Sequence, residues 1–148
     1  MGIFDNPDEY FMREALREAR AAAEEDEVPI GAVVVSGDRV IARTHNQTEL
    51  LHDVTAHAEM LALTAAEEAL GAKYLNDCTL YVTVEPCPMC AGALGWAQVA
   101  RLVYGADDPK RGYRRLTGPL LHPKTEVTAS VLKEDCAALM KEFFKKKR

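Results

Sequence analysis

Two short segments that lie far apart in the sequence carry side chains that favour the same ion. The first holds His57 and Glu59 in the pattern His-x-Glu, and the second holds Cys87 and Cys90 in the pattern Pro-Cys-x-x-Cys. One imidazole and two thiolates suit Zn²⁺, and a tetrahedral zinc with three protein ligands keeps its fourth position open for water. Any fold of this chain must therefore bring both segments to one point, which constrains it more than any other feature.

The spacing within each segment indicates how its side chains are presented. Residues three apart lie on the same side of a helical turn, so Cys87 and Cys90 fit the start of a helix, and Pro88 suits its first turn. A helix also opens at His57, and the positive end of a helix stabilises thiolates. Glu59 can project into the site without binding the metal and can take and deliver protons there. We predict one Zn²⁺ per subunit, held by His57, Cys87 and Cys90, with Glu59 as the catalytic residue.

Other interpretations of the cysteines are weaker. A Cys-x-x-Cys segment alone also fits a redox-active pair or half of a structural zinc site, although Pro-Met between the cysteines does not favour a redox pair. A structural site needs a fourth ligand. Cys78 and Cys136 are candidates by number, but each stands where a small buried apolar residue would serve. His52 and His122 are isolated, and we expect local structural roles for them.

Length and composition bound the class of protein. With 148 residues, 48% of them hydrophobic, residues 1–148 fit one domain whose core needs no disulfide bonds. The sequence has no apolar run of membrane-spanning length and no signal-peptide pattern, so we expect a cytoplasmic protein without membrane contact. The net charge of −5 argues against a general nucleic-acid binder. Residues 101–148, however, carry 12 of the 18 Lys and Arg residues, and such a region either faces water or contacts a polyanion.

Hydrophobic periodicity predicts alternating strands and helices. A first helix begins with Asn6 as its cap and ends at an acidic run, residues 24–27, which we place on the surface. A second helix is predicted from a cap at Thr55 or Asp53 to about residue 70, with Gly71 behind it. The other predicted elements are strands over residues 28–35, 39–44, 79–84 and 127–132, a strand within residues 99–106, helices over 89–97 and 134–147, and a loop over 107–124 with a short helical turn.

This order of elements predicts an α/β fold. Strand–helix–strand units pair parallel strands, and the hairpin over residues 28–44 adds an antiparallel pair. We therefore predict a mixed five-stranded sheet with helices on both faces. In the second helix, the residues expected on the buried side are Met60, Leu61, Leu63, Ala66 and Leu70.

The two motifs resemble the signature of the zinc-dependent cytidine and nucleobase deaminase superfamily, which is a match to a known pattern and not a derivation. Within it, the chain is similar over nearly its whole length to the bacterial tRNA-specific adenosine deaminases. The segments that carry this similarity are residues 28–33, 53–59, 80–87, 90–93 and 103–106. The resemblance implies a three-layer α/β/α cytidine-deaminase-like fold. It also implies hydrolysis of adenosine to inosine, with release of ammonia, at the wobble position of a tRNA.

The resemblance implies further site residues around the metal. Asn46 would hydrogen-bond the nucleoside that is flipped out of the anticodon loop. The backbone N–H of Ala58 would hold the target base. Glu85 and Pro86 would shape the site beside the metal.

The loop after the fourth strand is the expected contact with RNA. By resemblance, Asp108 and Lys110 bind the ribose and backbone of the tRNA anticodon loop. Arg111 and Arg114 follow in a basic stretch, and Tyr113 can stack on a base. The resemblance also implies a homodimer in which the partner subunit helps to form the substrate groove.

Two alternatives remain at this point. An acidic protein without an RNA-binding appendage also suits a free-base deaminase that acts on guanine or cytosine. A sealed pocket would favour that substrate, whereas an open groove flanked by Lys110 and Arg111 would favour RNA. A more remote alternative is a non-catalytic scaffold stabilised by zinc, which requires a fourth protein ligand.

Overall fold

A computed structural model describes residues 5–147 of the chain. The strands are β1 (Gly31–Ser36), β2 (Arg39–His45), β3 (Cys78–Val84), β4 (Arg101–Ala106) and β5 (Glu126–Thr128), and the helices are α1 (Pro7–Glu24), α2 (Ala58–Leu70), α3 (Pro88–Ala97) and α4 (Lys133–Lys146), with a 3-10 turn at Tyr113–Arg115. The strands form one sheet in the order β2-β1-β3-β4-β5. β1 is antiparallel to β2 and β3, whereas β3, β4 and β5 are parallel. The predicted mixed five-stranded sheet is confirmed.

The helices cover both faces of the sheet, as predicted. Successive residues of a strand point to opposite faces, and β1 shows this: Val33 packs in one core cluster and Val34 in the other. The cluster with Val33 includes residues of α1 and α4, and the cluster with Val34 includes residues of α2 and α3. The result is three layers, with the sheet between two pairs of helices. Among the described helices, none is long and apolar enough to cross a membrane.

The predicted start of α1 is confirmed, but the prediction for the acidic run behind it is partly wrong. The Asn6 side chain accepts a hydrogen bond from the Glu9 backbone N–H at 3.1 Å and caps the helix. Glu27, which we placed on the surface, is only 1% exposed. Its two carboxylate oxygens accept hydrogen bonds from the backbone N–H groups of Glu49 and Leu50, at 3.0 and 2.8 Å. A distant loop thus satisfies this carboxylate, and no local pattern signals it.

The start of α2 differs from the prediction. The helix begins at Ala58, and its N-cap residue is His57 rather than Thr55 or Asp53. The Asp53 side chain instead accepts hydrogen bonds from the N–H and the hydroxyl of Thr55, at 2.8 and 2.7 Å. Aspartate side chains often form such a local turn. The predicted end is confirmed, because Gly71 follows the helix in the left-handed conformation with φ of 63°.

The buried face of α2 is built from smaller residues than predicted. Leu63 and Ala66 are buried as expected, whereas Met60 and Leu61 are half-buried and Leu70 is 41% exposed. The residues buried on this helix are Ala58, Glu59, Ala62, Leu63 and Ala66. Small side chains let the helix lie close to the sheet, and the hydrophobic pattern alone favoured the larger residues.

Two strands are shorter than predicted. The first begins at Gly31 instead of residue 28, because the segment before it turns and the Ile30 N–H donates to the Val28 carbonyl at 2.8 Å. Pro29 within that turn has no N–H to give to a sheet. The last strand is Glu126–Thr128, so it shares only residues 127–128 with the predicted span of 127–132.

The sheet topology gathers several loops at one edge. β3 and β4 are parallel, and Val84 pairs with Ala106 where both strands end. Because β1 runs antiparallel to β3, its first residue, Gly31, lies at the same edge and pairs with His45 at the end of β2. In α/β sheets, ligands bind at such a carboxyl edge, where neighbouring connections diverge.

One partly buried ion pair ties α1 to the sheet. Both guanidinium N–H groups of Arg101 on β4 donate to the Asp8 carboxylate, at 2.7 and 2.6 Å. The Tyr81 hydroxyl on β3 donates to the same carboxylate at 2.9 Å, and Arg101 also donates to Thr128 on β5. The hydrogen bonds from Arg101 lower the pKa of Asp8, with a smaller contribution from Tyr81. Asp8 thus links α1 directly to β3 and β4, and its ionised carboxylate accepts both hydrogen bonds from Arg101.

We expect Asp8→Asn to lower the free energy of unfolding by about 1.5–3 kcal/mol at pH 7, since hydrogen bonds to charged groups contribute this much. Because the folded pKa lies below the unfolded value of about 3.9, the stabilisation is present above that pH and is lost as pH falls through the folded pKa. Urea unfolding at pH 7 and at about pH 3 measures this. The difference in free energy of unfolding between wild type and Asp8→Asn should be smaller at the lower pH. Arg13→Ala, which removes an exposed pair with Glu9, is the control and should cost less than about 0.5 kcal/mol. Equal losses in both variants would contradict this assignment.

Candidate metal centre and active-site cleft

The structure brings together the three predicted metal ligands. His57 Nδ1 lies 3.6 Å from Cys87 Sγ and 3.4 Å from Cys90 Sγ. All three atoms lie within 4.8 Å of one another. Bonds of about 2.3 Å to sulfur and about 2.0–2.1 Å to nitrogen around a tetrahedral ion place S and N ligand atoms about 3.5 Å apart. The two nitrogen–sulfur distances therefore match the separations that a tetrahedral zinc ion requires.

Each ligand segment opens a helix, as predicted. His57 is the N-cap residue of α2, and Cys87 is the N-cap residue of α3, with Cys90 in its first turn. Neither N-cap side chain makes a capping hydrogen bond. The free N–H groups and the positive ends of both helices therefore face the triad, where they favour negative charge.

The thiols differ in acidity. A hydrogen bond with the Cys90 thiol lowers the pKa of Cys87 to about 4, and the His57 imidazole acts in the same direction. The same contact, together with burial, raises the pKa of Cys90 well above its usual value. Cys87 is thus the thiol that ionises first. A bound cation removes the proton of each ligating thiol.

Glu59 lies beside the triad in the first turn of α2. It is 3% exposed, and burial raises the pKa of its carboxyl to about 7, with the negative charge of Cys87 adding to the effect. A carboxyl group of this acidity can both take and give a proton near neutral pH, as general acid–base catalysis requires. The predicted proton carrier is therefore next to the predicted ligands.

The remaining predicted site residues around the metal fall into two groups. Asn46, Ala58 and Glu85 line the same cleft as His57, whereas Pro86 is buried and is not among the lining residues. Asn46 directly follows β2 and is held by its backbone N–H, which donates to the Ile30 carbonyl at 3.0 Å. Ala58 is the first residue of α2, so its N–H has no acceptor within the helix.

The loop after β4 contributes Asp108 and Lys110 to the cleft, as predicted, and Arg111 beside them. The Asp108 side chain accepts a hydrogen bond from the Arg111 N–H at 3.0 Å, so it also shapes the turn. Tyr113 is half-buried and packs against the core, and Arg114 pairs with Asp107 at 3.0 Å. The exposed cations that this loop presents to the cleft are therefore Lys110 and Arg111.

The cleft is open and has a wall that we did not predict. Its volume is about 1430 Å³. The unpredicted lining comes from the last helix, α4, in the residues Ala137, Met140, Lys141, Glu142, Phe144 and Lys145. Lys141, Phe144 and Lys145 recur at helical spacing and so share one face of α4, beside its buried face. This spacing is the sequence signal from which the wall could have been predicted. The basic C-terminal third thus faces the cleft with part of its charge.

The other cysteines and histidines take no part in the triad. Cys78 and Cys136 are buried in the two core clusters, as predicted for small apolar positions. His52 is exposed in the loop before α2. His122 accepts a local hydrogen bond from the Lys124 backbone N–H at 3.1 Å. Within the described residues, the only group of three or more potential metal-binding side chains is His57, Cys87 and Cys90, so no fourth protein ligand supports a structural site.

Comparisons with known proteins agree with this geometry. The family described as MafB19-like deaminase matches residues 6–148. The tRNA-specific adenosine deaminase of Agrobacterium fabrum (strain C58 / ATCC 33970) is 48% identical over 144 residues, which cover 94% of this chain and 95% of that protein. A structure from biochemical and structural studies of A-to-I editing by tRNA:A34 deaminases superposes with a TM-score of 0.83 and 47% identity, covering 88% of this chain and 98% of that chain. The guanine deaminase from Nitrosomonas europaea superposes with a TM-score of 0.79 and 27% identity, covering 91% and 83%.

We expect the purified protein to bind one zinc ion per chain and Cys87→Ala to lose it. Changes outside the ligand set already cost about 10–100-fold in metal affinity at such sites, so loss of a ligand should cost at least as much. Elemental analysis after dialysis against a weak chelator measures this. Cys136→Ala removes a buried thiol outside the triad and should keep the zinc. Retention of tightly bound zinc by Cys87→Ala would place the metal elsewhere.

Proposed function

The chain belongs to the MafB19-like deaminase family, and we propose that it hydrolyses adenosine to inosine at the wobble position of tRNA and releases ammonia. The observation that carries this function is the triad of His57, Cys87 and Cys90, with Glu59 buried beside it in an open cleft. An open cleft with basic walls suits a base that remains attached to a polynucleotide. It suits a small free base less well, because nothing in the described residues seals it.

Zinc is the ion that the donor set fits, and His57, Cys87 and Cys90 would hold it. When bound, it supplies a water molecule of lowered pKa at the position that the protein leaves open. The ion would lie at the positive ends of α2 and α3. Cys90 and Glu59 are buried, so they keep bulk water away from the inner side of the site.

Glu59 moves the protons of the reaction. Its carboxylate accepts one proton from water and passes it to a ring nitrogen of adenine. It then accepts the second proton from the hydroxyl group now on C6 and passes it to the departing amine. A C–O bond forms at C6, the bond from C6 to the exocyclic nitrogen breaks, and ammonia leaves. The sum is adenosine plus water giving inosine plus ammonia, with Glu59 returned to its starting state.

The cleft orients the flipped nucleoside from several sides. We assign to the Asn46 side chain a hydrogen bond with the nucleoside, because this residue is buried at the end of β2 and still lines the cleft. The Ala58 N–H, free at the start of α2, holds the target base. Glu85 lines the cleft where β3 ends, and the buried Pro86 supports this part of the site from behind.

The outer walls contact the anticodon loop. Asp108 and Lys110 bind ribose and backbone from the loop after β4. Lys141 and Lys145 of α4 face the same cleft and add positive charge for phosphates, which dominate affinity for nucleic acids. Phe144 between them is 44% exposed and offers a ring on which an unpaired base can stack.

We also propose a single deaminase domain, a cytoplasmic location and a homodimer. One continuous sheet supports a single deaminase domain over residues 1–148, and a tRNA substrate supports a cytoplasmic location. A homodimer is supported by an apolar stripe on α3, in which Met89, Gly92, Ala93 and Trp96 recur at helical spacing. Trp96 is 81% exposed and Gly92 is open on its outer side, so a second helix can approach closely.

Guanine deamination is the second candidate, since a guanine deaminase shares the fold over most of both chains. We expect the zinc-loaded protein to convert the adenosine at the wobble position of a tRNA anticodon stem-loop to inosine, and to release no ammonia from free guanine or cytosine. Mass spectrometry of the RNA and an ammonia assay measure the two outcomes. Ammonia from guanine alone would contradict the proposed substrate.

Glu59→Gln in the same assay tests the proton transfer. It should keep its zinc and lose about 10²–10⁴-fold in kcat, the range that general acid–base catalysis contributes. Glu68→Gln, on an exposed position of the same helix, is the matched control and should retain wild-type turnover. Retained activity in Glu59→Gln would refute the assigned role.

For the homodimer, we expect sedimentation equilibrium to give twice the mass of one chain. Trp96→Glu should shift the protein to monomer, because it places a charge in an apolar interface. Arg13→Glu, which also introduces an exposed acidic side chain but on α1, should leave the mass unchanged. A monomeric wild type, or a dimeric Trp96→Glu, would contradict the proposed interface.

A further inference from the structure

The carboxylate of Glu85 is buried, which is unusual for a charged side chain. Its side chain is 3% exposed and borders the cleft. One carboxylate oxygen accepts a hydrogen bond from the Asp108 N–H and the other accepts one from the Arg114 N–H, both at 3.1 Å. Both donors are backbone groups of the loop after β4, and they lie more than 20 residues from Glu85 in the sequence. The hydrogen bonds that the structure describes for this carboxylate thus go to the loop and not to the metal triad.

The loop is wrapped closely around this carboxylate. A Cβ atom on Gly112 would stand only 2.1 Å from a Glu85 carboxylate oxygen and 2.6 Å from the Asp108 carbonyl oxygen, so a side chain at this position has no room. The Gly112 N–H donates to that same carbonyl at 2.7 Å, and the Tyr113 N–H donates to the Pro86 carbonyl at 2.8 Å. Residues 108–114 therefore fold back over the end of β3.

The side chain of Arg114 completes the arrangement. Its Nε lies 3.6 Å from the Glu85 carboxylate, its Nη2 lies 3.0 Å from Asp107, and its guanidinium lies over the Tyr104 ring at 5.5 Å. The guanidinium of Arg114 thus pairs with carboxylates at the start of the loop and at the end of β3. Lys110, at the exposed tip, remains to face the cleft.

A carboxylate is the side chain that this position requires. Two backbone N–H groups from different parts of the loop converge on it, and each needs an acceptor because a buried donor without one is costly. The amide of glutamine has the same shape but only one acceptor oxygen. Its NH₂ group would face one of the two N–H donors, and the loop would have to move away.

We propose that Glu85 is a positioning residue that holds residues 108–114 in the conformation that presents Lys110 and Arg111 to the RNA backbone, and that it does not itself contact the substrate. This inference rests on the proposed action on tRNA. It assigns to Glu85 a part in affinity for the anticodon loop and none in the chemical step.

The test compares Glu85→Gln with wild type in the full-length, zinc-loaded enzyme. We expect KM for the anticodon stem-loop to rise about tenfold, the equivalent of losing one hydrogen bond to a charged group, while kcat changes less than about twofold. Removing a negative charge would by itself strengthen binding of the RNA. Weaker binding by Glu85→Gln would therefore show an effect of the position of the loop and not of the lost charge. Glu134→Gln makes the same charge change at an exposed position of α4 outside the cleft lining and should leave KM unchanged or lower it.

Salt dependence gives a readout that a general loss of stability would not move. Each phosphate contact contributes about 0.9 to the slope of log K against log salt on duplexes and about 0.7 on single strands. Binding of the stem-loop, measured in a Glu59→Gln background to prevent turnover, should lose about one such contact or more when Glu85→Gln is added. Amide exchange of Asp108 and Arg114 should accelerate in the same variant, because their N–H groups lose an acceptor.

Gly112→Ala reaches the same contact from the other side. It should raise KM and reduce the salt slope as Glu85→Gln does, and the double variant should show less than the product of the two effects, since both disturb one contact. An unchanged salt slope, unchanged amide exchange or fully multiplicative effects would overturn the inference, as would a loss confined to kcat. A failure of the proposed function looks different, because the wild type itself would then make no inosine.

Discussion

Two helix N-termini converge on His57, Cys87 and Cys90, and the rest of the site depends on this convergence. A helix normally begins with a side chain that accepts a hydrogen bond from its free N–H groups, which contributes about 1 kcal/mol. Here the N-cap residues are the proposed metal ligands, and neither side chain makes a capping bond. The helices therefore begin at a local cost, which zinc binding would offset, since the free energy of metal binding also stabilises the fold. The uncapped N–H groups are in return available to favour anionic ligands and a bound base.

The sheet makes this convergence possible because one strand, β1, runs opposite to its neighbours. β1 is antiparallel to both β2 and β3, and β3 is parallel to β4. The end of β2 and the ends of β3 and β4 consequently lie at the same edge. Asn46, Glu85 and Asp108 follow these three strands closely, so residues that are far apart in sequence become neighbours around one cleft.

Two buried carboxylates hold loops on either side of this edge. Glu27 accepts two backbone N–H groups from the loop before α2, and Glu85 accepts two from the loop after β4. Burying a carboxylate is costly unless hydrogen bonds satisfy it, and an apolar residue could not satisfy the N–H groups of an irregular loop. The guanine deaminase from Nitrosomonas europaea has a similar fold, and a fold alone does not define a function.

The sequence by itself determined the chemistry and the class of fold. Ligand spacing within one helical turn, alternation of strands and helices, and the signals at Asn6 and Gly71 are local, so residues a few positions apart suffice to predict them. Tertiary structure alone decided that Glu27 is buried, that Glu85 holds the loop after β4, and that α4 forms a wall of the cleft. These features depend on contacts between residues more than 20 positions apart, such as Glu27 with Glu49 and Glu85 with Arg114. Such contacts leave no periodic or capping pattern in the chain, because the partner that satisfies each group arrives only when the sheet has brought the loops together.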